Sequence, residues 1–139
     1  QRREFHTQRQ KGNSRKKSIS TQNAPAAIGP YSQAVEAGGL IFISGQLPID
    51  PATGAMAPAE IKAQTEAVIK NLEGILKSEG LGLENILKTT VFMADLGQFA
   101  AMNEVYGRFF AANPPARATI EVKALPKAAL VEIEAVAAR

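Results

Sequence analysis

Apolar residues along this chain recur at a spacing of about two in some stretches and about three to four in others, and each change marks an element. Residues 31–37 and Leu40-Ile41-Phe42-Ile43-Ser44 read as two strands, joined at Gly38-Gly39, a strong hairpin signal. Gly45-Gln46 ends the second strand, and Asp50-Pro51-Ala52-Thr53-Gly54 is a turn. Pro58, a residue favoured in a helix's first turn, is expected to open a helix. Its stripe is Ile61, Thr65, Val68, Leu72, Ile75 and Leu76, and Gly80 closes it. Residues 86–94 form a β-rich run, after which Asp95 with Gln98 three positions on resembles a capping box. A second helix is expected over 96–112, with Phe99, Met102, Tyr106, Phe109 and Phe110 inward. Two strand-like runs finish the chain, 116–122 and 130–135, flanking a turn at Leu125-Pro126-Lys127.

The resulting order is β-β-α-β-α-β-β, with a short leading strand at 18–21. Two helices suffice to cover one face of a mixed sheet of about six strands, which predicts a two-layer α+β domain. Ala118, Ile120, Val122, Val131, Ile133 and Ala135 are expected beneath the helices. Arg117, Thr119 and Glu132 then share the opposite, polar face, with Glu121 across a short hairpin from Glu132 and Glu134. Only water or another subunit can meet that face, so a homo-oligomer with the polar face in its interface is expected.

Charge divides the chain in two. Residues 1–17 hold seven Lys and Arg against Glu4, a net of +6, which leaves −3 for residues 18–139 of a chain whose total is +3. The basic segment lacks the apolar residues of a core. It reads as a vector-derived or mis-started extension, an organelle transit remnant, or an arm for nucleic acid or membrane surfaces. The acidic remainder, taken as a single domain, is a poor match to a phosphate backbone.

Composition narrows the chemistry further. There is no cysteine, and the only histidine is His6. Disulfides, thiolate metal sites, a thiol nucleophile and a Ser-His-Asp triad within the core are excluded. No apolar run approaches the roughly 18–20 residues of a membrane span, so a soluble protein is expected.

Arg117 offers a planar fork for a small carboxylate, or else an intersubunit or cross-strand ion pair with Glu132 or Glu121. Glu132 and Glu134, crowded by like charge, present either a poised proton acceptor or a solvated acidic face. Asn103 stands between Phe99 and Tyr106 and needs a partner, a loop or a ligand. Tyr31, after Gly29-Pro30, is a lid ring or a core residue at a strand start. Ser44-Gly45 supplies a hydroxyl and an unobstructed backbone N–H at a strand end, or a plain turn.

Gly29-Pro30-Tyr31-Ser32-Gln33-Ala34, Ile43-Ser44-Gly45-Gln46, Lys88-Thr89-Thr90-Val91-Phe92, Pro115-Ala116-Arg117 and the run from Leu125-Pro126-Lys127 to Glu132-Ile133-Glu134-Ala135 occur in order. Together they resemble the signature segments of the reactive intermediate deaminase family (RidA, also called YjgF), from about Ile19 to Ala138. The resemblance implies a chorismate-mutase-like fold assembled as a homotrimer with sites between subunits. It implies cofactor-independent, metal-free hydrolysis of enamine and imine intermediates such as 2-aminoacrylate to 2-keto acids and ammonium. By position it implies that Arg117 binds the substrate carboxylate and that Glu132 positions or activates water. Tyr31, Ser44, Gly45 and Asn103 would line the pocket, and Thr119 falls where many relatives carry Cys.

The expected partners are thus a small imino or keto acid and further copies of the chain, with no membrane, and nucleic acid only through the basic segment. The expected compartment is the cytoplasm, or an organelle if residues 1–17 are a transit remnant. Two other functions stand beside hydrolysis: a non-catalytic small-carboxylate-binding or chaperone-like trimer, and an RNA-directed translation inhibitor or ribonuclease.

Overall fold

The computed structural model describes residues 16–139. The readings of the basic segment therefore lie outside the described residues, except at Lys16 and Lys17. Six strands form one sheet: β1 (Lys17–Ile19), β2 (Ala34–Ala37), β3 (Leu40–Gln46), β4 (Ile86–Met93), β5 (Ala116–Glu121) and β6 (Val131–Ala138). Their spatial order is β1-β2-β3-β6-β4-β5. All neighbours are antiparallel except β4 and β5, which run parallel. Two helices, α1 (Ile61–Ser78) and α2 (Phe99–Phe109), pack against each other, and α1 lies on β3 and β6. This is the expected two-layer α+β arrangement.

The first stripe is realised as read. Ile61, Thr65, Val68, Leu72, Ile75 and Leu76 of α1 are all buried, facing Ile41, Ile43, Val131, Ile133, Ala135 and Ala137 of the sheet. Complete burial of a side chain such as Leu72 is worth about 1.5–3 kcal/mol. Gly74 allows the helix its closest approach: a Cβ there would run into the Asn23 carbonyl, lying 3.0 Å from its carbon. No helix among the described residues is long and apolar enough to cross a membrane.

Element boundaries differ from the reading in instructive ways. The second strand starts at Ala34 rather than at 31, because Tyr31 N donates to Gly29 O (2.8 Å) and closes a tight turn around Pro30. The leading strand starts at Lys17 and ends at Ile19. The third strand ends at Gly45-Gln46 as read, with Gln46 its last residue. Helix α1 begins at Ile61, three residues after Pro58, once Glu60 N has turned back on Pro58 O (2.6 Å). The second helix is shorter than 96–112. Residues Leu96–Gln98 form a 3₁₀ turn, in which Asp95 accepts from Gly97 N (2.8 Å) without a returning bond from Gln98.

The largest departure concerns the last two strands. They form no hairpin, because β6 inserts between β3 and β4 while β5 lies on the far side of β4. Lys127 and Ala128, both in left-handed conformation (φ 57° and 55°), lie in the crossing segment. Register then fixes the faces. Thr89 pairs with Arg117 on one side and Ala135 on the other; Phe92 pairs with Ile120 and Glu132. Lateral partners share a face, and positions 89 and 92, an odd number apart, lie on opposite faces. Arg117 and Thr119 therefore face the helix layer, whereas Ala118 and Ile120 face outward, Ile120 at 45% exposure. The expectation that Ala118 and Ile120 lie beneath the helices, and that Arg117 and Glu132 share a face, is overturned. On the open face Leu40, Phe42 and Ile120 are exposed apolar residues.

Candidate active site

Arg117 enters the helix layer from the edge strand β5 and meets one face of α2. Phe99, Asn103 and Tyr106 recur there at helical spacing. Arg117 Nη1 donates to Asn103 Oδ1 (2.6 Å), and its Cζ lies 4.7 Å from the Tyr106 ring centroid and 5.4 Å from that of Phe99. Among the described residues no carboxylate stands within ion-pair distance of the guanidinium. A half-buried, stacked cation with free N–H groups is a seat for an anion.

Thr119, two residues on, shares that face. Its Oγ1 is the one side-chain polar atom among the described residues that is buried without a hydrogen-bond partner. An orphaned hydroxyl costs about 1–3 kcal/mol unless something bonds it. It stands two residues from Arg117 on the same face of β5, an unsatisfied polar atom next to the guanidinium's strand position.

Glu132 builds the second group of residues, on the other face. Between Ile43 and Gln46 the β3–β6 register slips, so that Ser44 and Gly45 oppose a single residue, Glu134. This bulge lays Gly45 against the Glu132 side chain; a Cβ at Gly45 would fall into the carboxylate, 2.9 Å from its Cδ. Gln46, buried, steadies the bulge by donating to Ser44 O (3.1 Å). Ser44 Oγ donates to Ser32 O (2.6 Å), tying the bulge to the segment that carries Tyr31. Tyr31, half exposed, and Gly45 line one narrow cleft of about 60 Å³ together with Lys127.

The Glu132 carboxylate forms no hydrogen bond or ion pair among the described residues. Burial pushes its carboxyl above the usual carboxylate range, and the charge of Glu134 adds to the shift. Glu121, expected as a third crowding carboxylate, instead accepts from Leu96 N (2.8 Å) on β5's own side of the molecule.

The structure thus divides the candidate residues. Arg117, Asn103 and Thr119 stand together on the helix face, and Tyr31, Ser44, Gly45 and Glu132 around the bulge. Asn103 holds Arg117 rather than a loop. Sequence reasoning missed the bed of Phe99 and Tyr106 beneath Arg117. Their spacing around Asn103 was visible, but Arg117 had been assigned to the other face. It also missed Gln33, whose buried amide takes Thr21 N (2.7 Å) and donates to Thr21 O, Ala24 O and Pro25 O (3.0, 3.2 and 2.7 Å), shaping the approach to Tyr31. Two depressions, of about 1040 and 520 Å³, are lined by neither Arg117 nor Glu132.

Comparison with known proteins sets this geometry in context. Residues 21–139 match the family model described as Endoribonuclease L-PSP. The 2-iminobutanoate/2-iminopropanoate deaminase of Mus musculus is 48% identical over 122 residues, covering 88% of this chain and 90% of that protein. The crystal structure of the YjgF gene product from E. coli superposes with a TM-score of 0.85 at 48% identity, covering 88% of this chain and 98% of the other. That of E. coli TdcF with bound serine gives a TM-score of 0.84 at 45% identity, covering 88% and 98%.

Proposed function

The chain belongs to the endoribonuclease L-PSP family, that of the YjgF and RidA proteins, and on that premise we propose that it hydrolyses reactive imines of the 2-iminobutanoate and 2-iminopropanoate type to 2-keto acids and ammonium. Arg117 binds the substrate carboxylate through the N–H groups left free by Asn103. The Thr119 hydroxyl meets the substrate beside it. Glu132 takes a proton from the attacking water. Water adds to the C=N carbon, the C–N bond of the resulting carbinolamine breaks, nitrogen leaves as ammonia and is protonated, and the carbonyl forms. Imines hydrolyse in water already, so orientation plus one positioned base, worth about 10²–10⁴-fold, is enough.

One observation carries the arrangement: the unpaired cation and the unpaired carboxylate lie on opposite faces of one sheet. A ligand of a few atoms cannot bridge them within a copy. The site is therefore composite, with Arg117, Asn103 and Thr119 of one copy meeting Tyr31, Ser44, Gly45 and Glu132 of the next, in a homotrimer. The exposed apolar residues of the open face, Leu40, Phe42 and Ile120, support such an assembly by supplying surface for burial. A head-to-tail contact of this kind closes into a ring and repeats the site at every interface.

The direct test is 2-oxobutanoate and ammonium formation from freshly generated 2-iminobutanoate, compared with the spontaneous rate. Acceleration by the protein, lost in Arg117→Ala, is expected. No acceleration by the intact trimer contradicts the proposal.

A further inference from the structure

We propose that Tyr106 and Thr89 are positioning residues for Arg117, which fix the plane of its guanidinium so that the free edge of the fork meets a carboxylate. The proposal rests on the carboxylate-binding reading of Arg117. An arginine on an edge strand has four side-chain torsions to restrain, and a single hydrogen bond to Asn103 leaves the plane free to rotate about it. The Tyr106 ring removes that freedom, with the guanidinium carbon 4.7 Å from its centroid.

The ring is itself pinned. Its hydroxyl shares a 2.7 Å hydrogen bond with Thr89 Oγ1, and the ring packs against Phe110 at a centroid distance of 4.5 Å. Thr89 is wholly buried, and Tyr106 is 5% exposed. Thr89 is also the register partner of Arg117 across the β4–β5 ladder. The contacts close a loop: strand β4 to tyrosine hydroxyl, tyrosine ring to guanidinium, guanidinium back to β5 beside the starting residue. The arginine is thereby indexed to the sheet rather than to a surface loop. Among the described residues, Asn103 Oδ1 is the only hydrogen-bond acceptor for the guanidinium. The remaining N–H groups are held in a fixed plane with no group among the described residues to satisfy them.

A stack that acts on substrate and transition state alike changes KM and leaves kcat. The test measures binding of 2-oxobutanoate by calorimetry, and steady-state kinetics on 2-iminobutanoate, for the full chain and its variants. Tyr106→Leu removes the ring and is expected to weaken binding and raise KM by about five- to thirtyfold, with kcat within about twofold of the wild type. Tyr106→Phe keeps the stack and loses only the pin, so it is expected to bind more tightly than Tyr106→Leu but about two- to fivefold more weakly than the wild type. Thr89→Val should match Tyr106→Phe, and the double variant should be no weaker than either, since both remove one shared bond.

If Tyr106→Leu does not fold, the Thr89→Val and Tyr106→Phe pair decides: wild-type affinity in both overturns the proposal. So does a Tyr106→Leu protein that binds 2-oxobutanoate as the wild type does while Arg117→Ala does not bind. Failure of the wild type to bind, or full binding by Arg117→Ala, instead removes the carboxylate-binding reading itself.

Discussion

Gly45 and the Glu132 side chain occupy one space: the position a Cβ would take at residue 45 lies 2.9 Å from the Glu132 carboxyl carbon and 3.2 Å from its Cγ. The glycine is what lets a carboxylate lie flat against the bulge. Because the obstructed group is the end of a flexible side chain, Gly45→Ala is expected to cost little stability, about 1 kcal/mol or less. It should nevertheless displace the base and lower kcat/KM by about 10²-fold. Thermal unfolding and initial rates on one preparation check the split. A variant that loses both stability and activity in proportion would contradict it.

Acid dependence follows from Glu132. Burial first and Glu134 second raise its pKa, so activity that needs the ionised form is expected to fall as pH drops through a value above the usual carboxylate range. Glu134→Gln removes one cause and should move this limb to lower pH without removing activity. The stability sign is opposite. A carboxyl whose pKa is raised by folding stabilises the fold fully when neutral, below its unfolded pKa, and loses that contribution as pH rises through the folded value. Glu132→Gln is therefore expected to raise the melting temperature at pH 8 and to have no effect below the carboxylate range. Rates and melts across pH 3–9 would show both.

Arg117→Lys tests the fork. Lysine keeps the charge but loses the planar, bidentate edge and the stack on Tyr106 and Phe99. KM is expected to rise by about tenfold or more, with retained folding. Asn103→Ala should give a smaller rise, because the stack remains. Equal kinetics for Arg117→Lys and wild type would show that charge alone suffices.

At Gly74 the neighbour is backbone, not a flexible side chain. The Asn23 carbonyl carbon lies 3.0 Å from the position of a Cβ and cannot swing away. Gly74→Ala should therefore destabilise by about 1–3 kcal/mol, although alanine improves helix propensity by about 1 kcal/mol. Urea unfolding is the check, and a gain in stability would show that α1 shifts freely.

The parts of the fold that local pattern dictates were legible. The α1 stripe and the Gly38-Gly39 turn are properties of contiguous residues, and both appear as read. The β5–β6 pair was not, because strand order is a long-range property. A short segment with a proline between two strands looks like a hairpin whether or not the chain crosses β4 within it. Face assignment failed for a related reason. In Ala116–Glu121 the alternation of Ala, Thr and Ile is too weak to choose a face, and Arg117, assigned to the polar face opposite the helices, is half-buried on an aromatic bed that only the placement of α2 supplies. The residues around Glu132 depend on a bulge at Ser44-Gly45, where sequence shows a strand end. The candidate residues were thus identifiable one by one, but not their division between two faces.

That division is tested most directly by mixing two inactive variants. Arg117→Ala and Glu132→Gln are each expected to form trimers without 2-iminobutanoate hydrolysis. After unfolding and refolding together in equal amounts, random assortment should restore about a quarter of wild-type sites, each joining an intact Arg117 of one copy to an intact Glu132 of another. Recovery of 2-oxobutanoate formation near that level is the predicted result. Mixed trimers that remain as inactive as the separate variants would mean that one copy supplies both residues, and would contradict the composite site.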